Sequence, residues 1–278
     1  MSNGECRMSN GTRHSTFGIR HSTFVIDSHC HLTDPRLFEQ LDGVLERARA
    51  AGVTRIVTIG TDPDDAAAAI GVCEAHAMVK CAIGIHPNES GNFDLDAMGR
   101  LRNLAKHPSV VALGEMGLDY FWDKVSQAKQ QTIFEAQLQL ATELSKPVVI
   151  HSRNAVADTL SVLRNFPQVR CVFHCFTGTP DEATSILDAG YLLGFTGPIT
   201  FKKNDLLREI VKSTPDDRLL IETDGPYLSP EPLRGKKVCE PAFVKHTLQA
   251  VAAVKGLLIH EADAMTTANT RRFYQMAD

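Results

Sequence analysis

The stretch FVIDSHCHL at residues 24–32 is a short apolar run that ends in polar and ionisable side chains. Seven similar runs follow it, each rich in valine, isoleucine and leucine and bounded by turn residues, as expected of buried strands. They are TRIVTIGTD (54–62), VKCAIGIHP (79–87), VVALGEMGLD (110–119), KPVVIHSR (146–153), VRCVFHCFTG (169–178), GYLLGFTG (190–197) and RLLIETDGPYL (218–228). The sequence therefore predicts eight buried strands.

Amphipathic stretches separate these runs, for example residues 38–51 and 127–144, where apolar residues recur at intervals of three and four. Eight strands alternating with helices over about 250 residues match a parallel (β/α)8 barrel. A doubly wound sheet is the alternative, but its first strand leads into a glycine-rich phosphate loop, and the chain has neither a GxGxxG nor a Walker sequence. We predict one TIM-barrel domain of the metal-dependent hydrolase type over residues 25–278, with a last helix at 261–274.

Composition limits the class of protein. Hydrophobic residues make up 43% and charged residues 22%, which is typical of a globular chain and excludes a disordered one. No run approaches about 18 apolar residues, so we expect no membrane span. A net charge of −4 argues against a uniformly basic surface but leaves a local basic patch open. The seven cysteines form no CxxC pair, which favours reduced thiols, and we expect a cytoplasmic monomer.

Residues 1–24 form a repetitive segment that we expect to be a disordered extension. MSNGECR is followed by MSNGTR, and RHSTFGI by RHSTFVI, without helical or strand periodicity. The segment has no apolar region typical of a secretory signal, although an arginine-bearing, acid-poor start also resembles a transit peptide. We assign no role to His14 or His21.

Ionisable side chains recur where the predicted strands end. In a parallel barrel the carboxyl ends of all strands meet at one mouth, where the active site forms. Five of the eleven histidines occupy such positions. The set comprises Asp27, His29, His31, His86, Glu115, His151, His174, Glu222 and Asp224. A single histidine of this kind is more often a satisfied core residue, but the convergence of the whole set predicts a metal site.

Spacing within the runs sharpens this prediction. His29 and His31 are two residues apart on a strand and so face the same side, which makes them a chelating pair. Together with further histidines and carboxylates, they predict mixed nitrogen and oxygen ligation of one or two divalent ions. Asp224 can bind metal and also take a proton from the attacking water. Glu222 shares its face and either takes part in catalysis or orients a histidine ring.

Six motifs, in order, resemble those of the TatD-type metal-dependent deoxyribonucleases, which are amidohydrolase-like barrel enzymes. The resemblance covers about residues 25–276. The motifs are DSHCH (27–31), GIHP (84–87), GEMGLD (114–119), PVVIHSR (147–153), VFHCFTG (172–178) and ETDGPY (222–227). The resemblance implies a hydrolase that cleaves phosphodiester bonds of DNA, often from a 3′ end, with divalent ions such as magnesium, manganese or zinc.

The family's metal ligands correspond to residues that are unchanged in this chain. They are His29, His31, Glu115, His151, His174 and Asp224. We expect the first two histidines and Asp224 to hold one ion and the last two histidines to hold the other, with Glu115 bridging them. Two ions placed in this way stabilise the attacking and leaving oxygens of an in-line displacement.

Three further residues have predicted roles around the metals. Asp224 is expected to orient or deprotonate the attacking water. His86, which the ligand set does not require, is expected to contact a phosphate or protonate the leaving group. Arg153 lies two residues beyond His151 on the same face and fits a phosphate clamp, the alternative being a salt bridge at the barrel rim.

Loops at the predicted mouth carry basic and aromatic residues that suit a nucleic acid. The basic ones are Lys202, Lys203, Arg234, Lys236 and Lys237, and the aromatic ones are Tyr120, Phe121 and Trp122. Such residues hold a phosphate backbone and stack on unpaired bases. They can also be merely solvated or packed on a neighbouring loop.

We therefore predict a 3′-5′ exonuclease acting on single-stranded DNA or frayed 3′ ends. A metal-dependent hydrolase of a small amide, phosphoester or aminoacyl ester is the alternative, and a non-catalytic binding protein is the third possibility. Two departures from the family pattern affect the substrate prediction. Residues 237–241 read KVCEP where the family tends to have Arg-Asn-Glu-Pro after the eighth strand. Asn154 stands where the family often has aspartate after the Ser-Arg pair.

Overall fold

Eight parallel strands form a single sheet in sequential order in the computed structural model, which describes residues 24–94 and 96–276 together with Met1. The strands are β1 (Val25–Cys30), β2 (Val53–Gly60), β3 (Val79–Ile83), β4 (Val110–Asp119), β5 (Val148–Arg153), β6 (Cys171–Phe173), β7 (Leu192–Phe195) and β8 (Leu219–Ile221). A parallel bridge between Cys30 and Gly225 brings the two ends of the sheet together. The predicted (β/α)8 TIM barrel is therefore confirmed.

Helices follow the strands in alternation. They are α1 (Pro35–Phe38), α2 (Leu41–Ala50), α3 (Pro63–Ala75), α4 (Ala97–Leu104), α5 (Gln127–Leu144), α6 (Val156–Leu163), α7 (Pro180–Asp188), α8 (Asp205–Ser213), α9 (Val244–Lys255) and α10 (Ile259–Tyr274). The periodic stretch 127–144 is one helix, whereas 38–51 is divided, because α1 ends at Phe38 and α2 begins at Leu41. Apart from Met1 and Phe24, the extension predicted at residues 1–24, with His14 and His21, lies outside the described residues.

No single helix in the described part of the chain is long and apolar enough to cross a membrane. Residues 241–255 and 259–274 reach that length and composition only as a pair bent by 109°.

Apolar side chains pack on both faces of the barrel sheet. One layer packs between the sheet and the surrounding helices. The other is contributed by alternate strand residues and by the end of α10, and it consists of Val57, Ile59, Ala82, Ala112, Val149, Val172, Leu220, Phe273 and Tyr274. This second layer supports the carboxyl ends of the strands, where the ionisable residues lie.

Several strands end earlier than the sequence predicts. The runs 169–178 and 218–228 contain strands of only three residues, β6 and β8. Cys175 and Asp224 have φ angles of 46° and 55°, in the left-handed region that cannot continue a strand. These positions place His174 and Asp224 on turns just beyond the strands.

Candidate metal centre

Glu115 lies at the centre of the mouth, almost fully buried, and each of its two oxygens faces different imidazoles. Oε1 is 2.7 Å from His151 Nδ1 and 2.7 Å from His174 Nε2. Oε2 is 3.4 Å from His29 Nε2 and 3.8 Å from His31 Nε2. A carboxylate with its two oxygens divided in this way is suited to bridging two cations.

His29, His31 and Asp224 make the tightest group on the Oε2 side. The two Nε2 atoms are 3.3 Å apart, and Asp224 Oδ1 lies 3.6 Å from the first and 3.3 Å from the second. These two ring nitrogens and the carboxylate oxygen converge on one point. Each can direct a lone pair toward a cation placed there. The donor set and its convergence therefore fit a divalent cation.

His86 joins the group on the Oε1 side. Its Nε2 lies 3.5 Å from Glu115 Oε1 and 3.4 Å from His151 Nδ1. Three groups in the described part of the chain have ligand atoms that all lie within 4.8 Å of one another: His29–Glu115–His174, His29–His31–Asp224 and His86–Glu115–His151. All six predicted ligands thus come together, and His86, which the sequence analysis left out of the ligand set, lies beside them.

Charge and burial compete at these groups. Burial opposes ionisation of Glu115, but the neighbouring imidazoles of His174 and His86 outweigh it and hold the pKa of this carboxyl well below its usual range. Burial likewise lowers the pKa of His174, yet the charge of Glu115 reverses this and raises that pKa well above its usual value. At His29 burial prevails and the pKa is lowered. An ionised carboxylate among crowded imidazoles is a site that favours added cations.

Asp119 is a functional candidate that the sequence analysis did not assign. Its Oδ2 accepts hydrogen bonds from His151 Nε2 at 3.0 Å and Asn88 Nδ2 at 3.1 Å. Because Nε2 donates to this carboxylate, Nδ1 of His151 keeps a lone pair directed at the cluster. A signal for this role exists in the sequence, since Asp119 lies four residues after Glu115 and on the same face of β4.

Gly117 explains why β4 and β5 can approach closely at this point. Its φ is +141°, and a Cβ atom built on it would collide with the carbonyl oxygen of His151. Glycine therefore permits the close pairing of Gly117 with His151 across the two strands. This pairing brings His151 beside Glu115.

Glu222 lies behind the cluster and does not line the cavity. Its Oε1 accepts the backbone N–H of Cys175 at 2.6 Å and is 3.7 Å from His174 Nδ1. Its Oε2 accepts a hydrogen bond from Ser28 Oγ at 3.2 Å. Of the two roles considered for Glu222, this position favours support of the His174 ring over direct catalysis.

Asp27 is also removed from the mouth. It is fully buried, its Oδ2 accepts the hydroxyl of Thr223 at 2.6 Å, and its Oδ1 accepts the backbone N–H of the same residue at 2.8 Å. It therefore anchors the end of β8 rather than reaching the cluster.

A cavity of about 680 Å³ opens above the cluster. Arg153 lines it, with its guanidinium 3.7 Å from the centroid of the Phe121 ring and 5.7 Å from that of Trp122. No carboxylate of the described residues lies within 4 Å of Arg153, so the rim salt bridge is not formed there. Trp122 also lines the cavity and is about half exposed. Tyr120, by contrast, turns away and donates its hydroxyl to Asp158.

The divergent loop after β8 is held in place through Glu240, a residue of the loop that the family pattern shares. Glu240 accepts a two-pronged salt bridge from Arg47 of α2, with the shortest contact at 2.7 Å. Cys239 is fully buried beside it. Among the basic loop residues, Arg234, Lys236 and Lys237 line a second cavity, whereas Lys202 and Lys203 are exposed and line neither cavity.

A parallel barrel that gathers imidazoles and carboxylates around one buried carboxylate, beneath an open cavity, defines a metal-dependent hydrolase of the TIM-barrel class. The model of the TatD-related DNases matches residues 26–275. The chain belongs to this family, which confirms the resemblance found in its motifs.

Relatives match along almost their whole length. The uncharacterized metal-dependent hydrolase YabD of Bacillus subtilis is 37% identical over 254 residues, which cover 91% of this chain and 99% of that protein. The 3′-5′ ssDNA/RNA exonuclease TatD of Erwinia tasmaniensis is 36% identical over 259 residues, covering 91% and 100%. The crystal structure of the TatD homolog YJJV from Escherichia coli K12 is similar with a TM-score of 0.87 and 27% identity, covering 92% and 99%.

Proposed function

We propose that this hydrolase cleaves phosphodiester bonds of single-stranded DNA, or of frayed ends, from the 3′ end with two divalent ions. The observation that carries the proposal is the division of the two Glu115 oxygens between separate imidazole groups beneath the cavity. Arg153, which has no carboxylate partner among the described residues, and the exposed Trp122 add a phosphate-binding and a stacking group to that cavity. The name of the Erwinia relative supports the same chemistry.

The residues that would hold the ions fall on the two sides of Glu115. We assign His29, His31 and Asp224, one of the convergent groups, to one ion. His151 and His174 would hold the other, because their nearest ring nitrogens are 3.4 Å apart and each lies 2.7 Å from Glu115 Oε1, with His86 beside them. The abundance of imidazole favours zinc over magnesium or manganese, which prefer oxygen ligands. When bound, such ions supply Lewis acidity and offset charge at the phosphate that is attacked.

The chain's own residues supply proton transfer and orientation. Burial opposes ionisation of Asp224, but a hydrogen bond and the charge of His31 outweigh it and lower its pKa, so the carboxylate is ready to accept a proton from the attacking water. Arg153 donates its guanidinium N–H groups to a phosphate oxygen while Phe121 supports its planar face. Trp122 stacks on the terminal base. His86, which lines the cavity, contacts the phosphate or donates to the leaving oxygen.

The test uses short single-stranded DNA labelled at either the 3′ or the 5′ end. Chelated enzyme is mixed with the DNA, and magnesium, manganese or zinc is then added beside an Asp224→Asn control. We expect metal-dependent loss of the 3′ label before the 5′ label, and no loss with the control. Absence of cleavage with all three metals, together with hydrolysis of a small phosphoester, would replace the proposal with the small-substrate hydrolase.

A further inference from the structure

A second cavity of about 370 Å³ adjoins the one above the metal cluster. We call it the basic groove and define it by six of its lining residues: Arg36, Phe201, Tyr227, Arg234, Lys236 and Lys237. Tyr227 lines both cavities, and its ring centroid is 6.1 Å from that of the candidate ligand His31. The groove is therefore continuous with the candidate active site.

The basic groove concentrates positive charge on a chain whose net charge is −4. Arg36 is paired with Asp34 through two hydrogen bonds. No carboxylate of the residues that the structure describes lies within 4 Å of Arg234, Lys236 or Lys237. Glu240, the acid nearest Lys236 and Lys237 in sequence, is bound to Arg47 instead. Three cations thus remain available to an anionic ligand.

Two aromatic rings of the basic groove each lie against one of its arginines. The guanidinium of Arg36 lies 4.6 Å from the ring centroid of Tyr227, and that of Arg234 lies 4.1 Å from the ring centroid of Phe201. Tyr227 is 47% exposed, so part of this residue is accessible to a ligand. Cations that follow a backbone and flat groups that stack on bases are the combination by which proteins hold single strands without reading their sequence.

We propose that the basic groove is a second subsite that binds single-stranded polynucleotide and holds the nucleotides that precede the one being removed. The proposal rests on the nuclease function proposed above. It implies that substrate binding depends on strand length, because a dinucleotide at the metal cluster is too short to fill the groove. It also places Lys237, the first residue of the divergent segment 237–241, at the part of the substrate that is bound but not cleaved.

The binding test is independent of activity. Fluorescent dT12 and U12 are titrated with metal-free protein in EDTA over a range of salt concentrations. The groove variant is Arg234→Ala/Lys236→Ala/Lys237→Ala. Its matched control is Lys106→Ala/Arg164→Ala/Lys212→Ala, which removes the same charges near the ends of α4, α6 and α8, on the opposite face of the barrel. We expect the groove variant to bind at least tenfold more weakly.

The salt dependence provides a second readout. The slope of log K against log salt should fall by about 2 in the groove variant, since each lost phosphate contact on a single strand contributes about 0.7. The control variant should keep the wild-type slope, and Lys236→Arg/Lys237→Arg should also keep it. Equal slopes in the wild type and the groove variant, or no binding of either oligomer by the wild type, would overturn the proposal.

The kinetic test separates the groove from the nuclease function. With metal added, the groove variant should show a KM for dT12 raised at least tenfold and a kcat within twofold, while cleavage of a dinucleotide stays unchanged. If the wild type cleaves DNA and the groove variant has the same KM, the groove proposal is wrong and the nuclease proposal stands. If the wild type cleaves nothing but the binding difference persists, the nuclease proposal alone is wrong.

Discussion

The interior of the barrel and its mouth are built from the same strands, yet they obey opposite rules. In β4, Ala112 belongs to the apolar layer inside the barrel, and Glu115, three residues later, is just as inaccessible but ionised among histidines. The side chains of the interior are apolar and stabilise the fold by packing. The mouth instead holds buried charged groups, although apolar groups of similar volume would often be at least as stabilising there. Stability and activity should therefore respond to different substitutions.

The mouth also holds backbone conformations that the interior avoids. Cys175 and Asp224 adopt left-handed φ angles, which for residues other than glycine cost roughly 1–3 kcal/mol each. The backbone N–H of Asp224 donates to the carbonyl of His29, which helps to hold the turn. Strain at the mouth is thus supported by the well-packed strands beneath it.

The largest expected effect is the loss of activity in Glu115→Gln. A neutral amide keeps the size of the side chain but cannot offer an anionic oxygen to both imidazole groups. We expect kcat/KM on labelled single-stranded DNA to fall about 10³-fold, equivalent to about 4 kcal/mol. Glu135→Gln, at a partly buried position of α5 that does not line the cavity, is the matched control and should leave the rate unchanged. A Glu115→Gln rate within tenfold of the wild type would contradict the role of Glu115.

Inside the barrel we expect the reverse pattern. Leu220→Ala removes a fully buried side chain of the apolar layer and leaves a cavity, which should lower the free energy of unfolding by about 2–5 kcal/mol. Below the melting temperature kcat should stay within twofold. Urea unfolding measures the first quantity, with the exposed Leu206→Ala as the control, expected within about 0.5 kcal/mol. If Leu206→Ala lowered the free energy of unfolding as much as Leu220→Ala does, the special contribution of the barrel interior to stability would be refuted.

Metal that binds at the mouth should raise the melting temperature of the protein, and this rise should not depend on the packing of the interior. A ligand present at about 100 times its Kd stabilises the fold by about 2.7 kcal/mol, which for a domain of this size raises Tm by about 5–10 °C. The measurement is a melting curve of chelated protein before and after manganese or zinc is added. The same shift should persist in Leu220→Ala and be lost in Glu115→Gln. An unchanged Tm in the wild type would argue against a metal site.

The smallest expected effect belongs to Asp119→Asn. This substitution distinguishes the residues that bind the metal from a residue that only orients one of them, His151. The amide can still accept a hydrogen bond from His151 but lacks the charge that fixes the ring. We expect metal affinity to fall 10–100-fold with little change in urea stability. Metal titration of the chelated protein measures this loss. Asp158→Asn, which alters the partner of Tyr120 instead, should leave affinity unchanged.

Much of the molecule followed from local patterns. Each of the eight apolar runs coincides with a strand, although β2 begins one residue before its run, at Val53. The stretch 127–144 is α5, and the TatD family and barrel are confirmed. The ligand set stays a prediction, although all its members converge. The sequence did not reveal that Tyr120 turns away from the cavity or that Lys202 and Lys203 line neither cavity, because side-chain direction in loops depends on partners distant in the chain.

What the sequence determined by itself is the order and parallel arrangement of the strands and the kind of residue that ends each one, since periodicity and turn residues act locally. What only the tertiary structure decided is which atoms face one another. The division of the two Glu115 oxygens between imidazole groups, the support of His151 by Asp119 and the continuity of the basic groove through Tyr227 all join distant segments. The register of the strands and the packing of side chains fix the geometry of these contacts. At Gly117 the lack of a side chain allows the close pairing of β4 with β5 on which that register depends.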